Sequence, residues 1–408
     1  MKGILVILDG LGDLPNKQLR NKTPLEVANT PNLDFFASRG EMGWMYPIRP
    51  QYVPGSDESL VSIFGNDLIS STRGQLEAIG AGLDLNKGDL ALRVNFATID
   101  SLKKGNLLDR RAGRTLTTAE ALILSKAINS KVKLSCKFIL KPTIQHRAVL
   151  VFRGGFSDDI KGNDPHPPTG KIRLCKVTND EENSQYTVNV LNEFLTKAHG
   201  VLNNHPVNES RKNRGLMSAN YLLVRGPGTE EPKLKQYPHW LSPSYMPTEI
   251  GFSRASGMKT LVFSYPKLKK LDAYSNLYDG LRKACKFSIK SLKRYHKKFN
   301  YTYIHIKETD LPGHDNKPLE KKEMLEYIDK TLINFLRKFA PPKGIKVVVT
   351  GDHSTPCKLK SHSADPVPVL FYDNSNLREK KFNEEEARKG TFGKILGKEL
   401  LKKVGFVR

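Results

Sequence analysis

Five short apolar runs, GILVIL at 3–8, NYLLV at 220–224, KTLVFS at 259–264, YTYIHI at 301–306 and IKVVV at 345–349, are separated by stretches of helical periodicity. Strands that alternate with helices lie mostly parallel and are covered on both faces, so the chain is expected to be an α/β protein with a mostly parallel sheet and helices on either side. The carboxyl ends of parallel strands share one edge, where open α/β folds bind ligands. Asp9 follows the first run, Asp310 and His314 follow the fourth, and Asp352 and His353 follow the fifth. Residues from the two ends of the chain can therefore meet at one site.

The stretch TGDHSTPCKLKSHSADPVP at 350–368 concentrates this pattern. The β-branched run before it delivers Asp352 and His353 to a Gly-containing turn, and His362 returns in a second polar loop. Carboxylate oxygen and imidazole nitrogen placed straight after a strand suit a divalent cation such as Zn²⁺ or Mn²⁺. Taken alone, the same residues also read as turn caps.

A length of 408 residues suggests about two domains, because single cores stop growing beyond roughly 250–300 residues. The composition, 38% hydrophobic and 26% charged, is that of a soluble globular protein. No apolar run approaches the roughly 20 residues of a membrane span. The run at Ile4–Leu8 passes directly into Asp9-Gly10 without a leader cleavage site, so a cytoplasmic protein with no membrane partner is expected. Cys136, Cys175, Cys285 and Cys357 lie far apart with no CxxC pair, which argues against a zinc ribbon or a disulfide framework.

The net charge of +24 attracts phosphates, whether of nucleic acid or of a small anionic substrate. Its densest block, 281–298, holds eight Lys/Arg and no acid. Leu281, Cys285, Ile289 and Leu292 recur there at helical spacing, which predicts an amphipathic helix whose basic face is solvated. No nucleic-acid motif accompanies it, so a nucleic-acid partner is not expected.

In PGSDESL at 54–60, Pro54-Gly55 makes a turn and Ser56 opens an apolar-periodic stretch through Leu60, Val61, Ile63 and Phe64. Ser56 thus stands at a helix start, where developing negative charge is favoured. That suits a serine alkoxide or a phosphoserine; a simple helix cap is the alternative.

Seven stretches occur in a telling order: MKGILVILDGLGD, KTPLEVANTPNLD at 22–34, PGSD at 54–57, LDRRAGR at 108–114, NDPH at 163–166, HIKETDLPGHD at 305–315 and the stretch at 350–368. Together they resemble the archaeal-type cofactor-independent phosphoglycerate mutases of the alkaline phosphatase superfamily. The resemblance covers nearly the whole chain and is weaker from 229 to 300. It implies a discontinuous alkaline-phosphatase-like domain, 1–75 plus 216–408, interrupted by a smaller α/β cap at 76–215. It implies one metal held by Asp310, His314 and His362, and a second held by Asp9, Ser56, Asp352 and His353. The ions would be Mn, Zn or Co, with Mg also acceptable, and no 2,3-bisphosphoglycerate would be needed.

Ser56 would be the nucleophile, its hydroxyl acidified by direct coordination. From LDRRAGR, Arg110 and Asp109 are implied at the reaction centre, and Arg110, Arg111 and Arg114 are placed to bind the phosphate and carboxylate of a small phosphorylated substrate. Asp164 and His166 would line the same cleft. One residue departs from the family pattern, which has a histidine four residues beyond the serine where this chain has Leu60. A related metal-dependent phosphatase or phosphotransferase is the alternative reading, and a non-catalytic nucleic-acid-binding protein is a distant one.

Overall fold

The computed structural model describes residues 1–68, 73–164, 170–229, 232–268, 272–374 and 381–407. Its larger sheet has eight strands in the order β11–β10–β12–β1–β13–β14–β2–β15. These are β1 Gly3–Leu8, β2 Gly40–Tyr46, β10 Trp240–Ser244, β11 Lys259–Val262, β12 Tyr301–Ile306, β13 Lys346–Gly351, β14 Val367–Tyr372 and β15 Gly393–Leu396. From β11 to β13 every pairing is parallel; β14 runs antiparallel to both neighbours, and β15 returns parallel to β2.

Alternation along β1 explains why helices cover both faces. Ile4, Val6 and Leu8 point into one core, shared with the helices Pro31–Ala37, Ala273–Tyr295 and Pro318–Ile328. Leu5 and Ile7 point into the other, shared with the helix Ser56–Ile63 and with Phe252 and Leu401. A strand buried on both sides reads as an unbroken apolar run, as GILVIL does. In the helix Ala273–Tyr295, Leu281, Cys285 and Leu292 are buried and all eight cations of the 281–298 block are exposed, so the basic face is solvated.

The smaller sheet contains β3 Leu90–Ile99, β4 Leu107–Asp109, β5 Phe138–Pro142, β6 Arg147–Phe152 and β9 Tyr221–Gly228, with β3 paired to β4, β6 and β9. β7 Ile160–Lys161 and β8 Lys176–Val177 form a separate short ribbon. The run at 220–224, expected among the parallel strands, therefore lies here, antiparallel to β3. Its unbroken apolar stretch, buried from Tyr221 to Val224, fits a covered strand in either sheet, and only the long-range pairing decides which sheet receives it. Leu92, Val94 and Phe96 of β3 pack against the helices Thr118–Lys131 and Glu182–Asn203. Arg93 and Asn95, at the intervening positions, face the other way, toward the carboxyl edge of the large sheet.

Among the described residues, no helix is long and apolar enough to cross a membrane. All four cysteines are free.

Candidate active site

Because β12, β1 and β13 are adjacent and parallel, the residues that follow them leave the sheet side by side. Leu8 pairs in register with Ile306 and Gly351. The next turns bring Asp9, Asp352 and His353 together as one group of potential metal ligands, and Asp310, His314 and His362 as a second. The first group is buried, with side chains at most 4% exposed, whereas the second is about one-fifth exposed and faces the cleft. The groups adjoin: the His353 and His362 rings stack with centroids 3.6 Å apart. Gly10 makes the approach possible. Its φ of +62° is left-handed, and a Cβ there would meet Thr355 Oγ1 at 2.6 Å and Asp310 Oδ1 at 2.8 Å.

Ser56 is the first residue of the helix Ser56–Ile63. Glu58 fixes the preceding turn by accepting from Gly55 N–H at 2.8 Å and from the Tyr52 hydroxyl at 2.5 Å. The Ser56 Oγ then lies 3.2 Å from His353 Nε2 and 3.2 Å from Lys307 Nζ. Lys307 Nζ is also 2.5 Å from Asp9 Oδ2 and 2.8 Å from Glu249 Oε1. Burial opposes the lysine charge, but Asp9, Glu249 and Asp352 outweigh it and hold the ammonium above the usual lysine range.

The rest of this wall is acid-rich. Burial and the neighbouring Asp352 raise Asp9 above the usual carboxylate range. Burial also works against Asp310, yet His314, His362 and His353 outweigh it and hold its carboxyl well below that range. His353 rises to about 9 because Asp352 and Asp9 overcome the cost of its burial. Asp9 Oδ1 and Asp352 Oδ2 are buried without a hydrogen bond of proper geometry. Carboxylates Asp9, Asp352 and Glu249 thus converge on one lysine, while Asp310 faces His314 and His362. The mixed O/N donor set, the surplus negative charge and the orphaned oxygens all fit divalent cations. His305, inside β12, holds Asp352 from behind, with Nε2 at 3.4 Å from its Oδ2 and Nδ1 at 2.8 Å from the Tyr303 hydroxyl.

The facing wall is cationic and comes from the smaller sheet. The LDRRAGR turn places Ala112, Gly113 and Arg114 at φ of 47°, 66° and 56°, a left-handed run that is costly for the two residues carrying side chains. Asp109 Oδ1 caps it by accepting from Arg111 N–H at 2.6 Å and Gly113 N–H at 2.9 Å. Arg211, fully buried, supports it by donating to the carbonyls of Ala112 and Thr115 and pairing with Glu120 at 3.0 Å. The three arginines then diverge. Arg110 donates through Nε and Nη2 to Asp164 Oδ1 at 2.9 and 2.6 Å. Arg114 is engaged with Asp315 through both terminal nitrogens. Arg111 makes no side-chain hydrogen bond or ion pair among the described residues and points into the cleft; burial, then Arg114 and Arg147, lower it to about 10, which leaves it cationic at neutral pH.

The cleft between the walls has a volume of about 340 Å³ and holds Ser56, Lys307, Arg111 and Arg147 on its lining. That size and charge suit a small polyanion. Among the candidates from sequence, Asp9, Ser56, Asp310, His314, Asp352, His353 and His362 converge on the floor, Arg110 and Arg111 lie on the wall, and Asp109 serves the turn's backbone. Asp164 is buried beneath Arg110, while His166 lies outside the described residues. Leu60 is fully buried in the core behind the helix, four residues along from Ser56. Sequence reasoning missed Lys307, Glu249, His305, Arg73, Arg93, Arg147 and Arg225. One signal was available: an Arg and an Asn two residues apart inside the apolar run of β3.

Comparison with known proteins gives the chain's family. Residues 37–208 match the family described as 2,3-bisphosphoglycerate-independent phosphoglycerate mutase. The enzyme of that name from Thermococcus kodakarensis is 41% identical, the alignment covering 98% of this chain and 95% of the relative. The one from Picrophilus torridus is 34% identical over 98% and 96%. A solved Pyrococcus horikoshii protein superposes with a TM-score of 0.75 at 32% identity, covering 100% of this chain and 98% of that one. The cofactor-independent phosphoglycerate mutase of Thermoplasma acidophilum gives a TM-score of 0.57 at 28% identity, covering 100% and 99%. With near-complete coverage on both sides, this chain belongs to the 2,3-bisphosphoglycerate-independent phosphoglycerate mutase family.

Proposed function

We propose that this chain interconverts 3-phosphoglycerate and 2-phosphoglycerate by two phosphoryl transfers through Ser56, in the cytoplasm, as a step of glycolysis and gluconeogenesis. The observation that carries this reading is the position of the Ser56 hydroxyl, within 3.2 Å of both Lys307 Nζ and His353 Nε2, at the bottom of an arginine-lined cleft.

Two divalent cations, one at Asp310, His314 and His362 and one at Asp9, Ser56, Asp352 and His353, would neutralise phosphoryl charge and acidify the serine hydroxyl. Mn, Zn, Co and Mg all accept such ligands. The chain's own groups do the rest. The Ser56 oxygen forms a bond to phosphorus as the bond from phosphorus to the glycerate oxygen breaks; the serine gives up its proton, and the departing oxygen takes one. Lys307 donates to the serine oxygen and stabilises its negative charge. Arg111 and Arg147, which pair with no carboxylate among the described residues, grip the substrate's phosphate and carboxylate, with Arg110 beside them. Glycerate then turns within the cleft, and its other hydroxyl attacks the phosphoserine, regenerating Ser56.

In this reading residues 76–215 form the cap, its sheet completed by β9, and closure of the cap keeps water from the phosphoserine. The test is a coupled assay on 3-phosphoglycerate with metal added and 2,3-bisphosphoglycerate withheld. Formation of 2-phosphoglycerate supports the proposal; release of inorganic phosphate alone would make the protein a phosphatase instead.

A further inference from the structure

Beside the cleft lies a second chamber of about 130 Å³. Its inner end is made by Asp9, Lys307 and Asp310, which also line the cleft, so the two spaces meet at the reaction floor. Its outer part lies between the smaller sheet, which contributes Arg114 and Gln145, and the helix Ala273–Tyr295, which contributes Ala273, Asn276 and Leu277. Arg111 and Arg147 line the chamber as well, so water entering here would reach the reaction floor along the inner edge of the arginine wall.

Polar ties cross this opening. Arg114 meets Asp315 fork to fork, Nη1 to Oδ2 at 2.5 Å and Nη2 to Oδ1 at 2.8 Å. The Tyr274 hydroxyl donates to the same Oδ2 at 2.9 Å, and Lys317 Nζ sits 3.7 Å above the Tyr274 ring. Gln145 Nε2 donates to Asn276 Oδ1 at 2.7 Å, and Asn276 is itself fixed by donating to the carbonyls of Pro266 and Lys267. The Arg114 and Asp315 side chains are 27% and 19% exposed, so the tie stands at the rim and can open without burying an unpaired charge. Asp315 directly follows His314, and Arg114 closes the strained turn that presents Arg111. One contact thus joins the acid wall to the cation wall at the point where the second chamber opens.

We infer that Arg114, Asp315 and Tyr274, with the Gln145–Asn276 bond, form a latch that shuts this second opening and thereby sets how often the phosphoryl group on Ser56 is lost to water. The inference rests on the phosphoserine reading. In the loss reaction a water oxygen bonds to phosphorus, the bond to the Ser56 oxygen breaks, that oxygen takes a proton, and inorganic phosphate and glycerate leave. Arg114 and the others are positioning residues, touching neither the serine nor the phosphoryl group.

The test uses the full chain with metal, as Tyr274→Phe, Gln145→Ala and the double variant. Tyr274→Phe removes a single hydroxyl and leaves the fold intact; Asp315 is left alone because of its neighbour His314. Two quantities are read: amide hydrogen exchange over 112–118 and 273–280, and the ratio of inorganic phosphate released to 2-phosphoglycerate formed. The latch predicts faster exchange in both segments and a phosphate fraction that rises about fivefold in the double variant, with the forward rate falling less than twofold. Unchanged exchange would show that these bonds hold nothing closed. Faster exchange with an unchanged phosphate fraction would show that the opening admits no reactive water; either result overturns the inference. Failure of the phosphoserine reading is seen separately, in wild-type protein that forms product with no phosphate on Ser56.

Discussion

Asp9 and Asp352 leave adjacent parallel strands, Asp352 held from behind by His305, whereas Arg111 faces them from a left-handed turn that one buried arginine supports. The acid wall is a by-product of the sheet. Any chain that pairs β1 with β12 and β13 must put the residues after them together. The cation wall has no such guarantee: Arg93 and Arg225 meet across the β3–β9 pair, Arg147 comes from β6, and Arg111 depends on Asp109 and Arg211. The acid wall should therefore lose function without losing its fold, while the cation wall should lose both together.

Removing metal tests the first half and carries the largest expected effect. Exhaustive chelation should lower turnover by at least ~10³-fold, with Mn²⁺ or Co²⁺ restoring it, while far-UV circular dichroism stays unchanged. Turnover that survives excess chelator would remove the metals from the site.

Arg211→Met tests the second half. It takes a buried donor from the carbonyls of Thr115, Met217 and Ala112, the last of which keeps Thr115, and one partner from Glu120, so urea unfolding should show a loss of about 3 kcal/mol. The KM for phosphoglycerate should rise in parallel, because the turn no longer presents Arg111. A destabilised variant with an unchanged KM would separate the turn from substrate binding.

The smallest effect concerns the support behind the acid wall. Glu384 accepts from Asp13 N–H and from the Thr23 hydroxyl, and Asp13 in turn binds Lys321 and Cys357 next to the loop carrying His353. Burial pushes Glu384 up to about 7 from an ordinary 4.5. Between those values the folded state binds a proton that the unfolded chain has released, so this contribution is fully present below about pH 4.5 and is lost as pH rises through 7. The loss is on the order of 3 kcal/mol at most. Glu384→Gln should flatten that step in a plot of stability against pH from 5 to 8. An identical slope in the variant would place the titration elsewhere.

The same contrast explains what the sequence disclosed. Asp9, Asp310 and Asp352 were legible because each follows a β-branched or apolar run, and strand order alone makes them neighbours. Ser56 was legible because a Pro-Gly turn precedes an apolar period. Lys307 was not, although it stands within the HIKETD motif. A lysine among acids reads as a solvated charge, and only the burial of Asp9 and Glu249 turns it into the site's central cation. Arg147 and Arg225 gave no local signal, since antiparallel pairing across long sequence distances is what brings them to β3. The misplacement of the 220–224 run has the same origin: a continuous apolar run names a strand but not its sheet.

The most direct measurement is to quench the metal-loaded enzyme during turnover of 3-phosphoglycerate and to locate phosphate on its peptides by mass spectrometry. Phosphate should appear on the peptide carrying Ser56, and Ser56→Ala should lose both the label and nearly all mutase activity while keeping its fold, since Gly55 and not Ser56 caps the helix. Label on a histidine, or a Ser56→Ala protein that retains a substantial share of the wild-type rate, would contradict transfer through Ser56.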